Sequence, residues 1–85
     1  MYTITIVKGV KSTQRLEAEG EETTTEALLP QSFVAQVWNK DPDACKMLAR
    51  EQAKHHGLEV VSIRDWRHVS SHGLSMESTA YAVKA

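Results

Sequence analysis

A single well-capped helix with β-type patterns on both sides is the feature that most constrains the fold. Asp41 is placed as the N-cap, Pro42 takes the first helical position, and Asp43 complements the positive end of the helix dipole. From Pro42 to His56 apolar and small residues recur at helical spacing, and Gly57 is placed for a left-handed C-cap. The sequence therefore predicts one amphipathic helix whose small side chains allow it to lie close to a sheet.

The residues before this helix predict strands. Tyr2 to Val7 alternates β-branched and aromatic residues with a period of two, which is typical of a half-buried strand. Lys8 to Ser12 supplies a glycine and polar residues for a turn, and Gln14 to Glu19 alternates again as the second strand of a hairpin. Residues 20–32 have no clear period. Phe33 to Trp38 fits a strand, with its first, third and fifth residues on one face, or a short helix; the Asp-Pro break that follows favours the strand.

The residues after the helix predict two further strands. Leu58 to Val69 has the pattern of a long strand that bends near Asp65, Ser70 to Ser75 forms a loop, and Thr79 to Lys84 closes the chain. The expected fold is one α+β domain over residues 1–85, with one helix on a mainly antiparallel sheet of four to five strands in βββαββ order. The strands on either side of the helix are expected to run parallel.

Composition excludes several classes of protein. With 41% hydrophobic and 25% charged residues and a formal net charge of −1, the 85-residue chain is neither disordered nor a basic nucleic-acid arm. Its one cysteine, Cys45, cannot form an intramolecular disulfide, and no apolar run reaches the length of a membrane span or a signal-peptide core. We expect a cytoplasmic protein without membrane attachment.

Residues that could support catalysis or metal binding lack the necessary pattern. His68 and His72 have a spacing found in zinc sites on helices, but here they fall on a strand end and a loop. Cys45 lies on the inward stripe of the helix, where a core thiol is the expected role. There is no nucleophile elbow and no glycine-rich phosphate loop. We expect no enzymatic activity, no cofactor and no metal.

An acidic segment is the first candidate binding surface. Ten residues without Lys or Arg contain five glutamates: Glu17, Glu19, Glu21, Glu22 and Glu26. On one extended strand the first three would share a face at a spacing of about 6.8 Å, close to the repeat of a nucleic-acid backbone. Such a row would fit the basic groove of a nucleic-acid-binding protein. The alternative is a solvated strand face whose charges prevent edge-to-edge aggregation.

The second candidate surface is a cluster of Arg64, Trp66, Arg67 and His68. Trp and Arg dominate protein-interface hot spots and also stack on single-stranded bases. The alternative buries Trp66 in the sheet and leaves two ordinary exposed arginines. Because the net charge leaves no basic face large enough to neutralise many phosphates, a protein partner is favoured over direct nucleic-acid binding.

The layout of a strand leading into a capped helix (residues 37–63) and then a terminal strand resembles small accessory proteins of phages and mobile elements. Among these, anti-CRISPR proteins are similar in size, in one helix on an antiparallel sheet and in acidic surfaces. The resemblance covers the whole chain as layout and includes no shared motif. It implies a non-catalytic inhibitor of a nucleic-acid-handling partner such as a CRISPR effector. The alternatives are a nucleic-acid-binding regulator that uses the Arg/Trp cluster, and a self-assembling structural protein that forms a homodimer through an exposed strand.

Overall fold

One helix packs against a mixed five-stranded sheet, which confirms the expected α+β fold. The computed structural model describes the backbone of residues 1–18, 21–69 and 75–85, and the side chains of these residues outside 13–26. In chain order the elements are β1 (Tyr2–Ala18), β2 (Glu21–Asn39), α1 (Pro42–His55), β3 (Leu58–Ile63), β4 (Arg67–His68) and β5 (Met76–Lys84).

The first and last strands meet at the centre of the sheet. The strand order is β2-β1-β5-β3, and β4 pairs with β5 beyond the end of β3. β1 is antiparallel to β2 and parallel to β5, whereas β3 and β4 are antiparallel to β5. β2 and β3 therefore run in the same direction, as the helical crossover predicts, but they lie at opposite edges with two strands between them.

Two long strands precede the helix where three shorter ones were expected. The predicted turn at Lys8 to Ser12 is wrong, because β1 continues through Gly9 to Ala18 and pairs with β2 along its whole length. Gly9 is buried, and a Cβ on it would lie 3.6 Å from the carbonyl oxygen of Leu29 and 3.9 Å from the Tyr81 ring. These are ordinary van der Waals distances, so Gly9 is a position within a continuous strand and not a reversal of the chain.

β2 contains both the segment without a clear period and the ambiguous residues Phe33 to Trp38, which are a strand as expected. Its pairing with β1 shifts register between Ile6 and Val7 and again between Lys8 and Gly9. Each shift adds a residue to β2 and reverses the alternation of its faces, which explains why no single period is visible in the sequence.

The helix and the C-terminal strands follow the sequence closely. The Asp41 side chain accepts a hydrogen bond from the Ala44 amide at 2.9 Å, and Gly57 has a φ of 71°. The expected long strand after the helix is divided into β3 and β4 around Asp65, where the bend was predicted. β5 begins at Met76, three residues before the expected start. Residues 70–74 of the expected loop lie outside the described residues.

The core lies between α1 and one face of the sheet. It combines branched side chains from the strands with very small side chains from the helix and β5, namely Ile4, Ile6, Val37, Cys45, Ala49, Ala53, Leu58, Ala80 and Ala82. The small residues let the helix approach the sheet closely, so even a domain of 85 residues contains fully buried positions. The opposite face of the sheet carries no helix among the described residues.

Candidate interaction surfaces

The sheet face opposite α1, here called the open face, is ordered by the strand register into three rows. Thr3, Thr5 and Val7 of β1 lie on this face, because Ile4 and Ile6 between them are buried toward the helix. Their cross-strand partners define one row each: Trp38-Thr3-Glu77-Arg67, Gln36-Thr5-Thr79 and Phe33-Val7-Tyr81-Ser62. The Gln36 side chain donates to Thr5 Oγ1 at 3.3 Å within the middle row.

Two large aromatic side chains are exposed at the β2 edge of the open face. Phe33 is 67% exposed and Trp38 is 61% exposed. Trp38 lies in the first row and Phe33 in the third, so the two exposed rings stand at opposite ends of this edge. Exposed aromatic rings of this size are common at interaction surfaces. Both rings were missed as binding residues at the sequence level.

The reason these rings were missed is the extra residue in β2. Simple alternation places Phe33 on the same face as Val37, which is buried against the helix. The structure pairs Ala35 with Ile6 and Phe33 with Val7, so Val34 is the extra residue and Phe33 moves to the open face. The one sequence feature that indicated an exposed aromatic ring was Trp38. It follows Val37 directly, so alternation places it on the face away from the core.

Two arginines lie at the other edge of the open face. The Arg64 guanidinium lies over the Tyr81 ring, 5.2 Å from its centroid, and Tyr81 is buried beneath it. Arg67 forms an ion pair with Glu77. A polar concavity of about 330 Å³ is lined by the two arginines together with Asp65, Glu77, Ser78 and Thr79. The Tyr81 contact holds the guanidinium of Arg64 over the sheet, and Arg64 remains exposed.

The predicted cluster of Arg64, Trp66, Arg67 and His68 is divided between the two faces. The half-buried Trp66 packs on the helix side, where its ring meets Tyr2 edge-on at 4.9 Å. His68 pairs with Met76, which places it in register with Tyr2 on that same side. A continuous Arg/Trp patch is therefore wrong, because Trp66 is used by the core. The two arginines share the open face with Trp38 instead.

The acidic segment does not form the expected row. Glu17 belongs to β1 and Glu21 to β2, and the chain reverses between them, so these residues cannot follow one another on a single strand. The register pairs Glu17 with Glu22 and Glu21 with Ala18. Glu26 lies opposite Thr13, and Glu19 lies outside the described residues. The even spacing that suggested mimicry of a nucleic-acid backbone is absent.

Four of the acidic residues, Glu17, Glu21, Glu22 and Glu26, instead belong to a projecting ribbon. β1 pairs with β5 only from Tyr2 to Lys8, whereas its pairing with β2 continues through Gly9 and then for nine residue pairs from Val10 to Ala18. This ribbon, residues 10–18 and 21–29, is called the distal hairpin below. It contributes to a molecule that is 51 Å long but only 19 Å thick.

The buried thiol is a core group. Cys45 is inaccessible to solvent, its Sγ lies 3.4 Å from the carbonyl oxygen of Tyr2, and burial raises the pKa of the thiol. A neutral buried thiol is a poor nucleophile. Within residues 1–18, 21–69 and 75–85, no three His, Cys, Asp or Glu side chains come together as metal ligands.

A second concavity, of about 420 Å³, lies between α1 and the edge strand β3. Its floor is formed by Leu58 and Val60, and its rim carries a mixture of charges from Arg50, Glu51, Lys54 and Glu59. The two signs balance, so this groove has no electrostatic preference for one ligand. None of the helices described is long and apolar enough to cross a membrane.

Comparison with known proteins found no matching family model, and neither a curated protein nor a solved structure with significant similarity to this chain.

Proposed function

We propose that this protein is a non-catalytic binding module that uses its distal hairpin to occupy the surface of a protein partner. The observation that supports this is the nine-pair extension of β1 and β2 beyond the sheet. A two-stranded ribbon without a third strand is marginally stable in water, so the extension adds little to the stability of the domain. A projecting ribbon does, however, reach into a groove or channel that a compact domain cannot enter.

The charge of the distal hairpin indicates an electropositive partner. Four of its residues are glutamates, Glu17, Glu21, Glu22 and Glu26, against two cations, Lys11 and Arg15. Glu17 and Glu22 occupy directly opposite positions, an arrangement of like charges that disfavours strand pairing. Concentrated negative charge accelerates and orients association with a basic surface, which offsets such a cost when the partner is bound.

Basic surfaces of this kind are characteristic of proteins that handle nucleic acids, because those surfaces neutralise phosphates. We therefore propose a stoichiometric inhibitor whose acidic ribbon competes with nucleic acid for a basic channel, with a CRISPR effector as the specific candidate partner. The competition depends on net charge and reach, and it does not require the regular carboxylate spacing.

The experiment is an affinity capture from nuclease-treated bacterial lysate that compares three forms of the tagged protein. The first is the natural chain. The second has a shortened hairpin in which Ser12 is joined to Ala27 through Asn-Gly, because these two residues are register partners and the two-residue turn suits a tight hairpin. The third carries Glu17→Lys and Glu22→Lys, and it is matched by a control with Glu51→Lys on the exposed surface of α1.

We expect the natural chain and the Glu51→Lys control to retain the same protein in stoichiometric amount. The shortened hairpin and the double reversal should lose it, although both keep the thermal unfolding transition of the domain. If the shortened hairpin captures the partner as well as the natural chain does, the distal hairpin is not the binding element and the proposal is wrong. Retention that does not weaken with added salt would contradict the electrostatic part.

A further inference from the structure

We propose that the edge of β3 beside α1 binds a short, extended and uncharged segment of a partner protein, which adds to the sheet as an antiparallel strand. One residue of the segment exchanges both backbone hydrogen bonds with Val60, and its side chain lies in the groove between β3 and α1. This site is at the opposite edge of the sheet from β2. It goes beyond the proposed function of the distal hairpin and does not depend on it.

The first argument is that β3 has a strand on one side only. Within the described part of the chain, β3 pairs with β5 and with no other strand. An edge strand presents N–H and C=O groups in a row, and another extended polypeptide is the ligand whose donors and acceptors match that row. The free edge therefore identifies the chemistry of the occupant as a peptide segment.

The register shows which backbone groups of β3 face outward. The Ala85 amide donates to the Gly57 carbonyl at 3.2 Å, which makes Leu58 and Lys84 a non-hydrogen-bonded pair. Because the two kinds of pair alternate, Val60 is in the same kind of pair as Leu58, and both direct their N–H and C=O away from β5. Leu58 is only 7% exposed, whereas Val60 is half-buried, so Val60 offers the accessible donor and acceptor.

The second argument is the groove beside this edge. Residues directly opposite each other on neighbouring strands have side chains on the same face, and Val60 packs on the helix side. The side chain opposite Val60 therefore enters the groove of about 420 Å³, whose floor is Leu58 and Val60. An apolar floor under a rim of balanced charge favours an apolar side chain on an uncharged segment.

The bulge in β3 limits the length of the segment. Pairing with β5 is regular from Leu58 to Val60, and Val61 is an extra residue at which the register shifts. A bulge bends and twists the strand, so the straight edge covers about three residues. A flexible segment can follow the bend, whereas the β3 edge of a second copy would bring a bulge of its own. The edge thus suits a short peptide better than a second copy of this chain.

The test begins with selection of random seven-residue segments from a display library on the immobilised natural chain. We expect the enriched segments to be uncharged and to contain an apolar residue at their centre. A selected peptide should bind with a dissociation constant in roughly the micromolar range, because it buries much less than the roughly 1,200 Å² of a stable interface. Amide NMR shifts on titration should be largest at Leu58 and Val60.

N-methylation of the selected peptide, one amide at a time, tests whether it binds as a strand. Methylation of the amide opposite Val60 removes a hydrogen-bond donor and should weaken binding by about tenfold. Methylation of the amides on either side should change the affinity little, because alternate amides of a strand point away from its neighbour. This series uses the natural chain, so it does not depend on the folding of a variant.

Val60→Pro tests the same bond from the side of the protein. Proline removes the outward N–H without removing a bond to β5, and proline is accepted at such edge positions. The variant should remain folded by circular dichroism and bind the peptide about tenfold or more weakly. The matched control is Val61→Ala, because Val61 is the neighbouring residue, is 42% exposed and has no partner in β5. It should bind as the natural chain does.

Four results would overturn the proposal. They are a library selection that enriches no segment on the natural chain over Val60→Pro, an effect of N-methylation that is equal at successive amides, NMR shifts centred on β2, and a concentration-dependent mass that Val60→Pro abolishes. The last result would assign the edge to a second copy. The shortened-hairpin variant keeps β3 and should still bind the peptide, so this proposal and the proposed function fail separately.

Discussion

The two halves of the β1-β2 hairpin show how much a strand depends on its neighbours. In the proximal half, residues 2–9 and 30–39, Ile4 and Ile6 are fully buried because β1 lies between two strands and beneath a helix. In the distal half, Val10 is 43% exposed and its cross-strand partner Leu29 is 49% exposed, although the same two strands continue. The proximal half is therefore stabilised by burial, whereas the distal half has only cross-strand pairing.

The largest expected effect comes from removing a core side chain on the proximal half. Ile6→Ala should lower the free energy of unfolding by about 2 to 5 kcal/mol, because it removes apolar contacts and leaves a cavity. Leu29→Ala removes a side chain of the same volume and should cost less than about 1 kcal/mol, since half of it is in water. Urea denaturation measures the free energy of unfolding of both variants. Equal costs would mean that the distal half is packed as tightly as the proximal half.

Amide hydrogen exchange should divide β1 at Gly9. We expect the amides of Ile4 and Ile6 to exchange only through opening of the whole sheet. The amides of Val10 to Ser12 that pair with β2 should exchange at least about 30-fold faster, which corresponds to about 2 kcal/mol. NMR exchange rates at fixed pH decide the point. Uniform protection along β1 would remove the distinction between the two halves.

Asp41→Ala tests whether the helix that covers the proximal half depends on its cap. The substitution removes the hydrogen bond that the Asp41 carboxylate accepts from the Ala44 amide. It should cost about 1 kcal/mol and lower the thermal midpoint of the domain. Asp41→Asn preserves an acceptor and should recover most of the loss. If both variants unfold at the same temperature, the cap contributes only through its charge.

The buried thiol gives the proximal half a pH dependence. Burial raises the Cys45 pKa above its ordinary value of 9.0. Above that value the unfolded chain loses the thiol proton while the folded chain keeps it, so stability should fall as the pH rises. Denaturation of the natural chain and of Cys45→Ala at about pH 8 and about pH 10 isolates this effect. The natural chain should lose more stability over this range, and equal losses would contradict the assignment.

The smallest effect is expected at the exposed Arg67-Glu77 ion pair. Arg67→Ala should change the free energy of unfolding by less than about 1 kcal/mol, because water screens both charges. Urea denaturation of Arg67→Ala beside the natural chain measures this change, and a loss above about 2 kcal/mol would contradict the screening of the pair.

Much of the fold could be predicted because the signals are local. The Asp41 cap, the stripe from Cys45 to Ala53 and the left-handed Gly57 require only neighbouring residues, and all are present. The strand at Tyr2 to Val7 and the bend near Asp65 were also visible as patterns of alternation. Local chemistry decides such elements before any tertiary contact is made.

The candidate binding surfaces were harder to predict, because they depend on which strands become neighbours. Trp66 has the composition of a hot spot, yet it packs on the helix side because the chain between β3 and β4 turns it toward Tyr2. Glu17 and Glu21 look evenly spaced in sequence, yet they belong to strands that run in opposite directions. No local pattern contains this information.

The sequence alone determined the helix and its ends, the α+β class and the presence of a strongly acidic segment. Tertiary structure decided that Gly9 continues a strand, that Phe33 joins Trp38 on the open face, and that the acidic residues lie on a projecting ribbon. The physical reason is the distance along the chain over which each interaction acts. Caps and periodicity act within a few residues, whereas register, bulges and exposure are set by strands that pair across tens of residues.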